Sequence, residues 1–267
     1  MALVDVLIPT VNRKASLAVT LVSLYYQSFS DFSLIISDQT TPQSVFTNQL
    51  VKTALTLHKT KRRNILQKQN LPRCGIAQQR QLLLEQSTSP YSLFLDDDVI
   101  LEPFVIEKMV EAIKEEACGF VGRAVIGLSY RDDYRLKEQN IEFWQGKVMP
   151  ETVTPTSAAW NRHKLHNAAN LWHLEKRLKV TAEKQKKYKV AWIGGCVLFD
   201  RKKLIKSGGF SFWQKLPPSA CGEDVLAQLK VMKRFGGCGL LPSGVYHQEL
   251  ATTIPNREDN APHMLSL

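Results

Sequence analysis

The strongest constraint on the fold is a regular alternation of strand-like and helix-like segments through the first part of the chain. Residues 4–8 and 32–37 are short apolar runs typical of buried strands, and residues 14–27 between them carry leucines at helical spacing. The alternation continues with a helix over 44–58, a strand over 65–68, a helix over 76–86 and a strand over 92–95. This pattern predicts an α/β fold with a mostly parallel sheet covered by helices.

The regular pattern fades in the middle of the chain and then returns. We expect a helix over 103–117 and a strand over 120–126, followed by a polar segment, 127–189, whose topology the sequence does not define. Its aromatic residues Trp144, Trp160 and Trp172 either line a binding wall or form the core of a small helical insert. Beyond it we expect a strand over 190–199, a helix over 223–235 and a strand over 239–241, all within a single domain spanning 1–267.

Composition limits the classes of protein to consider. The chain has 267 residues, of which 44% are hydrophobic, enough to bury a full core. Its five cysteines are scattered and contain no C-x-x-C pair, which argues against a disulfide framework and a thiolate zinc site. The first residues resemble no signal peptide and no apolar run reaches the roughly 20 residues of a spanning helix, so we expect a cytoplasmic protein.

The net charge of +10 favours anionic partners such as nucleotides, acidic lipids or nucleic acid. Basic residues concentrate in two runs, 59–63 and 177–189. Each run is more typical of a solvated helix face than of a binding site.

Polar residues follow four successive strands at the point where each strand ends. These segments are 9–13, 38–40, 70–73 and 96–98. Because ligands of open parallel sheets bind beyond the carboxyl ends of the strands, we expect the four segments to meet at one rim.

Three consecutive aspartates, Asp96, Asp97 and Asp98, follow the fourth strand. Adjacent carboxylates repel one another unless a cation or hydrogen-bond donors compensate, and a divalent metal is the simplest compensation. The alternative is an acidic turn that caps the next helix.

The segment from Leu95 to Asp98, followed by Pro103, resembles the D-x-D signature of family 2 glycosyltransferases. The segments 6–13, 35–38 and 75–80 are similar to further family motifs, although Gln79 and Gln81 depart from the usual alanine and asparagine. The resemblance covers roughly 1–126 and 190–247. It implies a Rossmann-like GT-A fold, in which 1–126 bind the nucleotide sugar and 127–267, with the irregular insert 127–189, bind the acceptor.

The resemblance also implies roles for individual residues. Asp98 would contact Mn²⁺ or Mg²⁺ directly, and Asp96 would lie near the nucleoside. Arg73 and Arg80 suit phosphates, although surface ion pairs explain them equally well. The expected donor-binding set is Pro9, Thr10, Asn12, Arg13, Asp38, Arg73, Arg80, Asp96 and Asp97.

A second acidic pair, Glu223 and Asp224, opens a predicted amphipathic helix. Carboxylates stabilise a helix N-terminus, so a capping role is a real alternative. The pair resembles the E-D motif of the family, which implies that Asp224 removes the acceptor proton. Glu223 is the alternate base or an acceptor-binding group.

Two further sites follow from the resemblance. Trp192, Gly194 and Gly195 close the predicted strand 190–199 and would contact the acceptor, unless the glycines form a buried bulge. His247 lies where several GT-A enzymes place a late metal or diphosphate ligand, although a lone histidine is more often structural.

Together these features predict transfer of a sugar from a nucleoside diphosphate sugar, UDP-linked, to a hydroxyl acceptor with inversion. The family's settings imply polysaccharide, lipopolysaccharide or glycolipid synthesis, a saccharide or lipid-linked acceptor, and peripheral contact with the acidic inner face of a membrane. Rival predictions are a retaining enzyme on the same fold, a sugar-phosphate nucleotidyltransferase, which would carry a glycine-rich first loop, and a basic nucleic-acid-binding module using 177–189. On the main prediction no nucleic-acid partner is expected.

Overall fold

The computed structural model describes residues 2–267 and has a central sheet of eight strands. Its strands are β1 (Val4–Thr10), β2 (Phe32–Asp38), β3 (Ile65–Gln69), β4 (Tyr91–Leu95), β6 (Phe120–Gly122), β7 (Lys186–Tyr188), β8 (Cys196–Asp200) and β9 (Gly237–Leu241). Their order is β3-β2-β1-β4-β8-β6-β9-β7, and β7 and β8 run antiparallel to their neighbours. Two short strands, β5 (Val99–Leu101) and β10 (Val245–His247), pair separately.

Eight α-helices accompany the strands in the described part of the chain. They are α1 (Lys14–Tyr25), α2 (Gln49–Thr60), α3 (Ile76–Gln86), α4 (Val105–Glu116), α5 (Asn170–Leu178), α6 (Arg201–Lys206), α7 (Glu223–Phe235) and α8 (Ala261–Met264). Within residues 2–267, none of these helices has the length and apolar character needed to cross a membrane.

The core lies on both faces of the sheet because side chains alternate along each strand. On β1, Val4, Val6 and Ile8 join a buried cluster with residues of α1, α2 and α4, whereas Leu7 belongs to a second cluster with residues of α3 and α7. All seven residues of β1 are buried, as expected of a strand covered on both faces. The α/β class with a mostly parallel sheet covered by helices is therefore confirmed.

Most element boundaries agree with the sequence analysis to within two residues, and three differ by more. The helix predicted over 44–58 is a 3-10 turn, Val45–Thr47, followed by α2, since Asn48 caps α2 with its side chain. The strand predicted over 120–126 ends at Gly122. The strand predicted over 190–199 is wrong for 190–195, because the Gln228 side chain, and not a neighbouring strand, bonds both backbone groups of Ile193.

The middle segment 127–189 contains mainly 3-10 turns and loops, together with α5 and the edge strand β7. Trp160 and Trp172 pack against the core cluster that contains Leu7, and Trp144 packs against the cluster on the opposite face. The division into donor and acceptor halves stays a prediction.

Candidate active site

A cleft of about 410 Å³ opens at the carboxyl ends of β1 and β4. Its walls come from the β1–α1 loop, the start of α3, the segment after β4, and a C-terminal stretch after β10. The lining residues are Pro9, Thr10, Val11, Arg13, Ile76, Gln79, Arg80, Asp96, Asp97, Asp98, His247, Leu250, Thr252, Thr253 and Arg257. The cleft thus lies at the rim that the strand pattern predicted.

The three aspartates after β4 take three different sets of partners. Asp97 is 6% exposed and accepts a hydrogen bond of 2.6 Å from the Thr10 hydroxyl. Arg13 bridges Asp97, at 3.1 Å, and Asp98, and the Asp98 Oδ2 atom also lies 3.3 Å from His247 Nε2. Asp96, whose side chain is 38% exposed, pairs instead with Arg80 at 2.9 Å.

The surroundings of Asp97 and Asp98 shift the pKa values of these two carboxyl groups in opposite directions. Burial raises the pKa of Asp97 to about 7, against the hydrogen bond from Thr10 and the charge of Arg13. Burial also acts to raise the pKa of Asp98, but His247 and Arg13 outweigh it and lower that pKa overall. The hydrogen bond to Asp98 raises the pKa of His247 in turn. The pairing therefore favours an anionic Asp98 beside a cationic His247.

Arg80 joins the aspartate cluster to the second acidic pair. Its guanidinium, on α3, donates from Nε to Glu223 at 2.7 Å and from Nη2 to Asp96 at 2.9 Å. The carboxylates surrounding Arg80 raise its pKa, despite the opposing effect of burial. Glu223 is 4% exposed and Arg80 is 6% exposed, so this ion pair is shielded from water.

Asp224 lies in the first turn of α7, which begins after Gly222 in the left-handed region, at φ 73°. Burial and the adjacent charge of Glu223 raise the pKa of Asp224 to about 7, and Arg80 partly opposes this. A carboxyl with such a pKa changes protonation state near neutral pH, which suits exchange of a proton with a bound hydroxyl.

The composition of this region fits a cation. Five carboxylates, at positions 96, 97, 98, 223 and 224, outnumber the three cationic groups that pair with them, which are Arg13, Arg80 and His247. Among residues 2–267 no group of three or more His, Cys, Asp or Glu side chains converges as a ready metal site. Asp98 and His247 nevertheless present an oxygen and a nitrogen from two elements, and hard divalent ions often use one or two protein ligands with waters and phosphate oxygens.

Several predicted donor residues lie outside the cleft lining. The Asp38 carboxylate is fully buried and accepts from the backbone N–H groups of Thr40 and Val45, at 2.8 and 2.9 Å, and from the Ser44 hydroxyl at 2.7 Å. Asn12 is exposed at φ 57°, and its N–H donates to Thr40. Arg73 is exposed in the loop after β3.

The predicted acceptor segment precedes β8 and does not close a strand as expected. Trp192 stacks on His163 with ring centroids 4.7 Å apart, and Trp160 lies 4.4 Å away from it. Gly194 faces open space. Gly195 has φ 82°, and a Cβ there would lie 2.4 Å from a Val125 methyl group, so only glycine fits this approach beside Asp96.

The two glutamines that depart from the family pattern both have structural partners. Gln79 donates from Nε2 to the backbone carbonyls of Thr10 and Ser37, at 3.2 and 2.6 Å, and thereby joins the ends of β1 and β2. Gln81 accepts from the N–H of Phe210 at 2.9 Å.

The C-terminal wall of the cleft is the part that the sequence analysis missed. Leu250, Thr252, Thr253 and Arg257 line it, and Arg13 donates from Nη2 to the Ala251 carbonyl at 2.6 Å. Nothing in the local sequence of this stretch signals a site, since its position depends on the contact with Arg13, 238 residues earlier.

Comparison with known proteins places the cleft in context. Residues 5–205, more than half of the chain, match the family described as Glycosyl transferase family 2. An "Uncharacterized glycosyltransferase" of Haemophilus influenzae is 28% identical over 113 residues, which are 42% of this chain and 35% of the relative.

Solved structures share the fold at low sequence identity. TarS 1-349 of S. aureus, in complex with UDP-GlcNAc, aligns with 94% of this chain and 60% of its own, at a TM-score of 0.55 and 16% identity. The mannosyltransferase PcManGT of Pyrobaculum calidifontis, in complex with GDP-Man and Mn²⁺, aligns with 95% of this chain and 59% of its own, at a TM-score of 0.58 and 15% identity. The chain thus spans about three-fifths of these structures and about a third of the curated relative.

Proposed function

Because the chain belongs to glycosyl transferase family 2, we propose that it transfers a sugar from a nucleoside diphosphate sugar to a hydroxyl acceptor, with inversion at the anomeric carbon. The observation that carries this proposal is the cleft at the carboxyl ends of β1 and β4, which gathers Asp96, Asp97, Asp98, Arg13 and Arg80. The UDP-GlcNAc complex of TarS and the GDP-Man complex of PcManGT support a nucleoside diphosphate sugar as donor, and we propose that it is UDP-linked.

The donor diphosphate lies between Arg13 and the aspartates in this proposal. Mn²⁺ or Mg²⁺, held by Asp98 and His247, would neutralise the charge that develops on the departing diphosphate. Arg13 and Arg80 offer planar N–H forks that match phosphate oxygens. Asp38 acts on the nucleoside side indirectly. Its carboxylate already accepts hydrogen bonds from Thr40, Ser44 and Val45, so its role is to fix the loop over 40–45.

Asp224 is the general base of the proposed reaction. Arg80 holds Glu223 at 2.7 Å, whereas Asp224 has no such ion pair within the described residues and changes protonation state near neutral pH. As the acceptor oxygen bonds to the anomeric carbon, its proton passes to the Asp224 carboxylate and the sugar–phosphate bond breaks. The electron pair of that bond leaves with the nucleoside diphosphate, so charge and atoms balance.

The acceptor side comprises Trp192, Gly194 and Gly195. The Gln228 amide, one turn beyond Asp224 on α7, holds the neighbouring Ile193 backbone at 2.7 and 2.8 Å. This contact holds the segment that contains Trp192 against α7, the helix that carries the proposed base. We propose a saccharide or lipid-linked acceptor, in polysaccharide, lipopolysaccharide or glycolipid synthesis, with peripheral contact between the protein and an acidic membrane face.

The proposal is tested by calorimetric titration of UDP with and without Mn²⁺, on the parent and on Asp98→Ala. We expect binding of UDP that requires Mn²⁺ in the parent and is lost in the variant. Asp133→Ala, which removes a surface carboxylate paired with Arg135, is the matched control and should bind like the parent. UDP binding that ignores both Mn²⁺ and Asp98, or an absence of UDP binding, would contradict the proposal.

A further inference from the structure

Helix α1 is apolar on the side that faces solvent as well as on the side that faces the sheet. Its inner face buries Leu17, Leu21 and Leu24. Ala15, Val19 and Val22, with Tyr26 directly after the helix, recur at i, i+4, i+7 and i+11 and are all exposed. The exposed fractions are 43% for Val19, 38% for Val22 and 65% for Tyr26. A surface helix normally places polar residues there, so an exposed apolar stripe is unusual.

The neighbouring helix α2 borders this stripe with cations on one side. No Asp or Glu occurs between Asp38 and Glu85, a stretch that contains all of α2. Lys52, Lys59, Lys61 and Arg62, on α2 or just after it, are exposed. Both helices cover the same face of the sheet, and Lys61 Nζ lies 4.1 Å from the Tyr25 ring centroid while donating to the Tyr25 carbonyl at 2.7 Å.

The apolar stripe and these cations form one surface, which we call the α1–α2 surface. It comprises Ala15, Val19, Val22, Tyr26, Lys52, Lys59, Lys61 and Arg62. On the other flank of α1, Glu107 of α4 accepts a hydrogen bond from the Ser28 hydroxyl at 2.8 Å. The surface is therefore cationic on its α2 side.

We propose that the α1–α2 surface docks on the anionic face of a lipid bilayer. A bilayer offers an apolar layer beneath a plane of negative headgroups, which matches an apolar stripe bordered by lysine and arginine. Tyrosine and lysine suit this boundary because each has an apolar body and a polar tip. The inference rests on, and locates, the peripheral membrane contact proposed above.

A second copy of the chain is a poorer occupant. Two-fold pairing would bring the same patch of both copies into one interface. Lys52, Lys59 and Arg62 of both copies would then share that interface with no carboxylate on either helix, and like charges across an interface oppose association.

Helix α1 connects the proposed docking surface to the cleft. The helix begins at Lys14, immediately after Arg13 of the cleft, and its 12 residues extend about 18 Å away from it. A bilayer on this surface would lie beside the cleft. A water-soluble nucleotide sugar could enter from solution while a lipid-linked acceptor approached along the membrane.

The experiment is flotation of the protein with vesicles of phosphatidylcholine alone and with vesicles containing about one-third phosphatidylglycerol. We expect binding only to the anionic vesicles, weakened by high salt. Lys52→Gln with Lys59→Gln should weaken binding about thirtyfold, from roughly fivefold per cation. Val19→Ser with Val22→Ser should weaken it at least about tenfold, because less apolar area is buried.

The matched control is Lys179→Gln with Lys184→Gln, which removes the same charge from the exposed second basic run and should bind like the parent. The proposal is overturned if anionic vesicles do not bind, if the control loses as much affinity as the α2 variant, or if Val19→Ser with Val22→Ser instead converts a dimer to a monomer in sedimentation. UDP titration of each variant separates these outcomes from failure of the sugar-transfer proposal, since none of the six substituted positions lines the cleft.

Discussion

Replacement of Arg80 by methionine should lower the free energy of unfolding by about 3–5 kcal/mol. Methionine keeps much of the length of the side chain but has no charge and no N–H group. The Arg80 Nε–H is the one donor to the Glu223 carboxylate among the described residues, so the variant leaves a carboxylate that is 4% exposed without a partner. The large cost is that of an uncompensated buried charge.

The two partners of Arg80 contribute unequally to this magnitude. The Asp96 side chain is 38% exposed, so water can solvate it after the change and its share should stay below about 1 kcal/mol. The remainder comes from Glu223. Arg80→Met combined with Glu223→Gln should therefore recover most of the loss, because an amide costs less to bury than a carboxylate.

The assay is urea unfolding at neutral pH, monitored by tryptophan fluorescence and compared at equal denaturant slope. Lys108→Met is the matched control. It breaks the Lys108–Glu111 pair, which has the same 2.7 Å separation but lies at the surface, and should cost no more than about 0.5 kcal/mol.

Two results would refute the reasoning about Arg80. One is a loss in Arg80→Met as small as that of Lys108→Met, which would mean that the Glu223 pair is effectively solvated. The other is simple additivity of Arg80→Met and Glu223→Gln, since residues that share a buried pair should couple by about 1–3 kcal/mol.

Three other outcomes test separate parts of the structure. The kcat/KM for sugar transfer should fall on the acid side of about pH 7, because Asp224, with its pKa raised to about 7, accepts a proton only when ionised, and Asp224→Asn should abolish turnover. Asp5→Asn should cost about 2–4 kcal/mol at neutral pH in urea unfolding, because Asp5 accepts N–H bonds of 2.8 Å from Thr88 and Ser89. Burial acts to raise the pKa of Asp5, but its hydrogen bonds lower it overall, so this difference should shrink as the pH falls below about 4. Gly75→Ala should lower the Tm and cost about 1–3 kcal/mol, because Gly75 has φ 92° and a Cβ there would lie 2.6 Å from the Pro218 carbonyl oxygen, so an unchanged Tm would contradict this account.

Helices and strands whose residues follow a periodic apolar pattern could be predicted from the sequence. Helices α3 and α7 begin and end where the apolar periodicity predicted, and β1, β2 and β4 differ from their predicted bounds by only one or two residues at an end. Both helices and strands of this kind bury a periodic set of side chains, so the pattern and the structure have the same cause.

Elements that depend on residues far away in the sequence could not be predicted in this way. The segment over 190–195 is apolar enough for a strand, but Gln228 of α7 bonds the Ile193 backbone and removes it from the ladder. The pairing of β5 with β10 joins residues more than 140 positions apart, and neither strand exceeds three residues. The same holds for the cleft wall near Ala251, which Arg13 fixes from the other end of the chain.

The need to compensate the charges of Asp96, Asp97 and Asp98 could be predicted from the sequence, but the groups that do so could not. Three adjacent carboxylates require compensation, and protein groups contribute to it: Thr10 and Arg13 donate to Asp97, Arg13 and His247 contact Asp98, and Arg80 pairs with Asp96. Repulsion within the triad alone is therefore no proof of a metal. Asp98 and His247 would hold a divalent cation, and the Arg13 guanidinium, which lines the same cleft, would donate to the oxygens of a bound diphosphate.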